Sequence, residues 1–88
     1  MEIATSIGYL RSLRKFVKNN QNNADKVKKT LDLFKKNPSH SPLNTEKLGS
    51  TELWTIRIDK GNRVFFTWED TQTVLLIDIG KHDRYRKY

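Results

Sequence analysis

The sequence predicts an α+β domain, in which two helices pack on one face of a small, twisted antiparallel sheet in the order β-α-α-β-β-β. Two observations predict this class. Apolar residues recur with the helical period of 3.6 up to residue 37, and with the strand period of two from residue 53 onward. At 88 residues, the chain has room for one domain, 1–88, with a short C-terminal tail.

The first half of the chain predicts a short strand and two helices. Residues 2–5 form the candidate strand, and Ser6 is a suitable N-cap for the first helix. The apolar stripe of this helix is expected to contain Ile7, Leu10, Leu13 and Val17, widened by Tyr9 and Phe16. The asparagine-rich run 19–23 interrupts the pattern, and Asn23 can cap a second helix. The second stripe consists of Ala24, Val27, Leu31 and Phe34 and stops before Pro38.

The second half predicts a three-stranded meander after a loop at 39–45. The predicted strands are residues 53–58, 63–68 and 73–79. Lys60-Gly61-Asn62 is a tight turn between the first two, and residues 69–72 form the next turn. The third strand is almost continuously apolar, which indicates a position inside the sheet.

Composition restricts the function. There is no cysteine, and two histidines are too few for a protein-built zinc site without carboxylates. The longest purely apolar run is VLLI, and the first residues lack the apolar region of a signal peptide. We therefore expect a cytoplasmic protein with no membrane contact, no cofactor and no metal.

The charge is strongly basic and uneven. The net charge is +7; residues 6–37 contain nine cations and two acids, whereas residues 45–88 contain eight cations and seven acids. Such a field favours phosphate-rich partners. A solvated helix face that only keeps the protein soluble is the alternative.

Alternation along the strands places several cations together. If Trp54, Ile56 and Ile58 face the helices, Arg57 projects from the opposite face, where Arg63 of the next strand stands beside it. Gly80 lets the chain turn and deliver Lys81 and His82 to the same end of the sheet. A phosphate group could then be bound at this end of the sheet by two arginines, a lysine, a histidine and a tyrosine.

Each member of this set also has a plain structural explanation. The arginines could pair with acidic neighbours, His82 could be a surface bystander, and Tyr85 and Tyr88 could be packing groups. The acidic candidates are Glu52, Asp59 and Asp78. Phe65, Phe66 and Trp68 are expected in the core rather than stacked on bases.

Residues 46–85 resemble the RelE/ParE superfamily of bacterial type II toxins. The motifs that carry the resemblance are Lys47-Leu48, WTIRI at 54–58, Gly61-Asn62-Arg63 and Gly80-Lys81-His82. The two preceding helices fit the same order, so the resemblance covers nearly the whole chain. No single motif is diagnostic, but the ordered set is moderately specific.

The resemblance implies roles for individual residues. Arg63 matches the strand arginine that holds the scissile phosphate, and Arg57 a basic residue on the preceding strand. His82 stands where members carry an arginine or a histidine used in proton transfer. Tyr85, in the spacing H-x-x-Y, or Tyr88 matches the C-terminal aromatic residue that touches the substrate. The further expected RNA-binding residues are Lys47, Lys81, Arg84, Arg11, Arg14, Lys15 and Lys18.

The RelE-like branch cuts messenger RNA in the ribosomal A site, and the ParE-like branch inhibits DNA gyrase. We favour the first: a toxin that acts as a metal-free endoribonuclease (an mRNA interferase), whose partners are mRNA, the ribosome with its rRNA, and a cognate antitoxin. The alternatives are a gyrase inhibitor without nuclease activity and a non-catalytic basic RNA-binding module. His82 discriminates between them, because nuclease chemistry needs a titrating group and a gyrase binder does not.

Overall fold

The computed structural model describes residues 1–87, with all side chains in that range except those of Tyr85 and Lys87. Its helices are α1, Ile7–Val17, and α2, Gln21–Lys36. Its strands are β1 Glu2–Thr5, β2 Glu46–Lys47, β3 Trp54–Arg57, β4 Asn62–Trp68 and β5 Thr73–Lys81. A 3-10 helix, Ser41–Leu43, precedes β2, and a second one, the tail segment His82–Lys87, follows β5. No helix in residues 1–87 is both long and apolar enough to cross a membrane.

The five strands form one sheet in the order β1-β5-β4-β3-β2. The predicted α+β layer is confirmed, with a mixed sheet instead of a purely antiparallel one. β1 runs parallel to β5, while the other neighbours are antiparallel. The pairing of β1 with β5 joins strands that are far apart in the sequence. The two helices carry the chain away from β1, and the meander brings it back beside β1 at β5. β2 was not predicted, since two residues are too few to show a period.

The helix starts depend on side-chain caps. Ser6 caps α1 as expected, with its Oγ accepting the Tyr9 N–H at 3.0 Å. The cap expected at Asn23 is instead provided by Asn20, whose Oδ1 accepts the Asn23 N–H at 3.0 Å. Asn19 has a φ of 52°, so the chain reverses immediately after α1 and the second helix begins earlier than predicted. Asn23 donates from Nδ2 to the Phe16 carbonyl at 2.9 Å and joins the two helices.

The main core lies between the helices and one face of the sheet. Its fully buried members are Phe34 from α2 and Ile56, Val64, Phe66, Val74 and Leu76 from the sheet. The rings of Phe34 and Phe66 are 4.9 Å apart, and Phe66 also contacts Trp54 and Trp68. The predicted core positions of Phe66 and Trp68 are confirmed, because both pack in this layer.

The buried face of α1 differs from the predicted stripe. Tyr9 is buried and Leu13 and Phe16 pack against the core, but Ile7 is 77% exposed and Leu10 46% exposed. At about 100° per residue, Leu13 and Phe16 lie within ~40° of Tyr9 around the helix axis. Ile7 lies ~160° from Tyr9 by the same geometry. The expectation for Ile7 and Leu10 was wrong because Tyr9, and not these aliphatic residues, takes the core-facing position.

Candidate functional site

Two strand arginines face each other on the sheet. Arg57 of β3 is the register partner of Arg63 of β4, and Arg63 is in turn the partner of Gly80 on β5. The three residues form one row, which we call the arginine row, on the face away from the main core. Arg57 is exposed and Arg63 is half-buried. The predicted juxtaposition of the two arginines is therefore present.

Neither of these arginines is neutralised by an acidic side chain in the part of the chain that the structure describes. Both guanidinium groups instead donate to the backbone carbonyl of Asp59, from Arg63 Nη1 at 3.1 Å and from Arg57 Nε at 3.4 Å. Like charges directly opposite each other on paired strands destabilise a sheet. An anion bound between them would remove this repulsion, so the arginine row is suited to a phosphate.

The Asp59 side chain fixes the turn from which the row is built. Its Oδ1 accepts the backbone N–H groups of Gly61 and Asn62 at 3.1 and 3.0 Å, and its Oδ2 pairs with Lys26 of α2 at 3.2 Å. Burial raises the pKa of Asp59, but hydrogen bonds from Asn62, Lys26 and Gly61 outweigh it and lower the pKa below its usual value. The sequence indicated a turn at residues 60–62. Because aspartate side chains often accept hydrogen bonds from the backbone of the turn that follows, the aspartate before this turn was the signal by which its structural role could have been recognised.

The next row on the same face is buried. Thr55, Phe65 and Asp78 are cross-strand partners, and their exposures are 3%, 0% and 2%. The tail segment packs against β4. The face that carries the arginine row is therefore exposed at Arg57 but buried at the neighbouring row of Thr55, Phe65 and Asp78. Phe65 is buried as expected, although outside the main core.

Arg84 of the tail segment is held against the body of the domain. Arg84 Nε donates to Asp78 Oδ2 at 3.1 Å, and Arg84 Nη2 lies 3.5 Å from Ser12 Oγ on α1. Arg84 was expected to bind RNA, and the structure shows it in an internal ion pair. Tyr85 falls outside the described side chains, and Tyr88 outside the described residues, so their expected substrate contacts stay predictions.

His82 begins the tail segment and adjoins the arginine row. Its backbone N–H donates to the Gly61 carbonyl at 3.1 Å, which continues the β4–β5 pairing of Asn62 with Lys81 by one step. The residue is exposed. The structure therefore brings the backbone of His82 to the turn that carries both arginines.

The other expected RNA-binding cations occupy two regions. Four of them line a cleft of about 630 Å³ between α1 and the end of β5: Arg11, Lys15, Lys81 and Arg84. Arg14 of α1 and Lys18, the residue that follows this helix, are exposed and do not line the cleft. Lys47 lies on β2 at the far edge of the sheet and is also exposed. The cleft thus brings cations of α1 and of the β5 end together, although Asp78 and Asp83 also line it, and Lys47 is separate from it.

Comparison with known proteins supports the fold. No protein-family model matches the sequence, and no curated protein does. Among solved structures, a YoeB/ParE toxin from Agrobacterium tumefaciens matches with a TM-score of 0.76 at 15% identity, over 93% of this chain and 99% of its own. A chain of the YoeB-YefM complex from Staphylococcus aureus matches with a TM-score of 0.73 at 22% identity, over 93% and 97%. YafQ from E. coli strain BL21(DE3) matches with a TM-score of 0.73 at 13% identity, over 92% of each chain.

The chain has the RelE/ParE toxin fold.

The resemblance predicted from the sequence is thus confirmed for the architecture. Within the RelE/ParE fold of this chain, Lys47-Leu48 begins on β2 and Gly61-Asn62-Arg63 leads into β4. Gly80-Lys81-His82 ends β5 and begins the tail segment. At identities of 13–22%, the property shared with these structures is the fold.

Proposed function

We propose that this chain is the toxin of a type II toxin–antitoxin system and cleaves mRNA on the ribosome. The observation that carries the proposal is the arginine row, in which Arg57 and Arg63 face each other without a carboxylate among the described residues. His82 adjoins the same turn through its backbone hydrogen bond to Gly61. The RelE/ParE fold and the net charge of +7 support an RNA substrate.

The chemistry uses a nucleophile that RNA itself provides. The 2′-hydroxyl loses its proton, and its oxygen attacks the adjacent phosphorus. The bond from phosphorus to the 5′-oxygen breaks, and that oxygen takes up a proton. The products are a 2′,3′-cyclic phosphate and a free 5′-hydroxyl. The protein must therefore accept one proton, donate one proton and stabilise the negative charge that grows on the phosphoryl oxygens.

The site residues match these three requirements. Arg57 and Arg63 stay charged at any cellular pH and can each offer two donors to phosphate oxygens. His82 can accept the 2′-hydroxyl proton when neutral, or protonate the leaving 5′-oxygen when charged, because histidine titrates near neutral pH. Tyr85 or Tyr88 would contact the substrate next to it.

The helical cations would bind ribosomal RNA. Arg11, Arg14 and Lys15 are exposed on α1, and Lys18 is exposed immediately after it. Contacts of this kind go to phosphates, so they position the protein without reading sequence. We also propose that Lys81 contributes at the cleft between α1 and β5, and that Lys47 makes a separate contact from the far edge of the sheet.

An antitoxin is the expected protein partner. The YoeB toxin of Staphylococcus aureus was solved in complex with YefM. By analogy, we propose that an acidic or amphipathic segment covers the cationic surface of this chain and holds it inactive. Co-purification with the product of the adjacent reading frame tests this; free tolerance of the chain at high expression, with no bound neighbour, would contradict it.

Single-turnover cleavage of mRNA on programmed ribosomes tests the proposed activity. We expect His82→Gln to lower the cleavage rate by roughly 10²–10⁴-fold, the range for a lost acid–base group. Ribosome binding should be unchanged because the α1 cations are intact. The matched control is His40→Gln, which changes the half-buried histidine before the 3-10 helix at residues 41–43 and should cleave like the wild type.

The outcomes separate the alternatives. Equal rates for His82→Gln and the wild type would transfer the proton step to a tyrosine of the tail. No cleavage by the wild type, together with inhibition of gyrase supercoiling, would replace the nuclease by a gyrase inhibitor. Ribosome binding with neither activity would leave a basic RNA-binding module.

A further inference from the structure

A buried carboxylate lies below the tail segment. Asp78 is 2% exposed on the sheet face that also carries the arginine row, and its Oδ1 accepts the backbone N–H of Ile79 at 2.8 Å. Its Oδ2 accepts from Arg84 Nε at 3.1 Å. Removing a carboxylate from water is costly unless it is paired and hydrogen-bonded. The ion pair with Arg84 therefore ties the position of the tail to the interior of the domain.

Glycine at position 80 makes room for this pair. Gly80 has a φ of +154°, which side-chain-bearing residues rarely adopt. A Cβ at this position would collide with the Arg84 side chain at Cδ and Nε. The penultimate residue of β5 therefore lacks a side chain where the Arg84 side chain lies.

The tail is also attached at two further points. Arg84 Nη2 lies 3.5 Å from Ser12 Oγ, which extends the contact to α1. The His82 N–H donates to the Gly61 carbonyl at 3.1 Å, on the turn that carries Arg57 and Arg63. His82 is thus held from the turn on one side and through Arg84 on the other, two residues later.

We propose that Asp78, Gly80 and Arg84 are positioning residues, which together hold the tail segment so that His82 stays beside the arginine row. The proposal rests on the nuclease function proposed above. It assigns Arg84 a different role from the predicted one: its guanidinium group holds the tail segment through Asp78 and Ser12, and does not bind RNA. Its side chain is 34% exposed, against 2% for its partner.

Steady-state cleavage on ribosomes separates the two roles of Arg84. If Arg84 positions the tail, Arg84→Gln lowers kcat by roughly 10- to 100-fold, as expected for a displaced catalytic group, and leaves KM nearly unchanged. The matched control is Arg86→Gln, which removes the same charge from an exposed residue of the same segment. This control should keep the wild-type kcat.

Two further variants test the geometry. Arg84→Lys keeps the charge but not the planar fork that reaches both Asp78 and Ser12, so kcat should fall here too. The double variant Asp78→Asn with Arg84→Gln should lose no more than Arg84→Gln alone, because both changes break the same contact. A raised KM with wild-type kcat in Arg84→Gln, rescued by Arg84→Lys and accompanied by a shallower salt dependence, would overturn the proposal and make Arg84 an RNA-binding residue.

Hydrogen exchange at the His82 amide gives a readout that does not depend on activity. This amide is bonded to the Gly61 carbonyl, so in the wild type it should exchange slowly. In Arg84→Gln we expect exchange at least ~10-fold faster there, with protection of the β4 core unchanged. Unchanged exchange would contradict the positioning role even if the wild type cleaves no RNA, so the two proposals fail separately.

Discussion

Phe65 and Phe66 are consecutive residues of β4, both fully buried, and they lie on opposite faces of the sheet. Phe66 contacts the rings of Phe34, Trp54 and Trp68 in the main core. Phe65 lies in the same cross-strand row as Thr55 and Asp78, beside the arginine row and on the strand against which the tail segment packs. Of these two phenylalanine side chains, Phe66 thus has an apolar environment, whereas the environment of Phe65 is partly polar.

This difference separates a face that supplies stability from the face that carries the proposed site. On the helix-covered face, burial of apolar surface supplies the free energy of folding. On the other face, polar groups are held by specific partners: Arg63 donates to the Asp59 carbonyl, and Arg84 pairs with Asp78. Substitutions on the first face should therefore change stability most, and substitutions on the second should change activity most.

The largest expected effect on stability comes from the main core. Phe66→Ala should lower the free energy of unfolding by about 3–5 kcal/mol, from lost burial and the cavity that remains. Phe65→Ala should cost less, because aromatic pairs such as those of Phe66 add ~0.5–1.5 kcal/mol each. Urea denaturation of the two variants measures the difference. An equal or larger loss for Phe65→Ala would mean that the second face is an equally important core.

The next largest effect on stability is expected at a polar atom inside the apolar core. The Tyr9 hydroxyl is buried and has no hydrogen-bond partner among the described residues. A buried unsatisfied group costs about 1–3 kcal/mol, so Tyr9→Phe should stabilise the protein or leave it unchanged at neutral pH. A clear loss of stability in urea denaturation would show that the hydroxyl is satisfied.

Tyr9 should also make the stability of the protein depend on pH in the alkaline range. Burial raises its pKa from 10.0 to about 12. Because the unfolded phenol ionises first, the folded state binds more protons between pH 10 and 12, and stability falls over this range. Tyr9→Phe should reduce that fall; parallel stability curves for the two proteins above pH 10 would argue against a raised pKa.

A smaller effect is expected at the turn that carries the arginines. The lowered pKa of Asp59 means that its carboxylate stabilises the folded state above the unfolded value of 3.8, and that this contribution disappears as the pH falls through the folded value. Asp59→Asn should cost roughly 0.2–1 kcal/mol at pH 7, typical of a partly exposed ion pair such as that with Lys26. Its stability should also depend less on pH below 4. Identical acid unfolding of variant and wild type would contradict this.

The smallest effect on stability is expected at the arginine row itself. Arg63→Ala should change the free energy of unfolding by no more than about 0.5 kcal/mol, since it removes a like charge along with two hydrogen bonds to carbonyls. Toxicity on induction in cells should nevertheless be lost. Lys60→Ala, an exposed cation of the same turn, is the matched control and should stay toxic. An unfolded Arg63→Ala would show that the arginine is structural.

Local patterns in the sequence were sufficient for most elements. Alternation at 53–58 and 63–68 predicted that Trp54 and Ile56 share one face and that Arg57 and Arg63 share the other, because the side chains of a strand alternate whatever lies around it. Ser6 was recognisable as an N-cap because its partner, the Tyr9 N–H, is three residues away. These features depend on neighbours in the chain and can be read from it.

Tertiary structure decided the features that join distant residues. The parallel pairing of β1 with β5 and the choice of Tyr9 over Ile7 for the core depend on how α1 meets the sheet. The choice of ion pairs also depends on the tertiary structure. Asp78 was one of three acids that could have paired with the strand arginines, but it pairs with Arg84 instead. Sequence alone does not specify such pairs, because their energies depend on burial and on distances that only the folded chain sets.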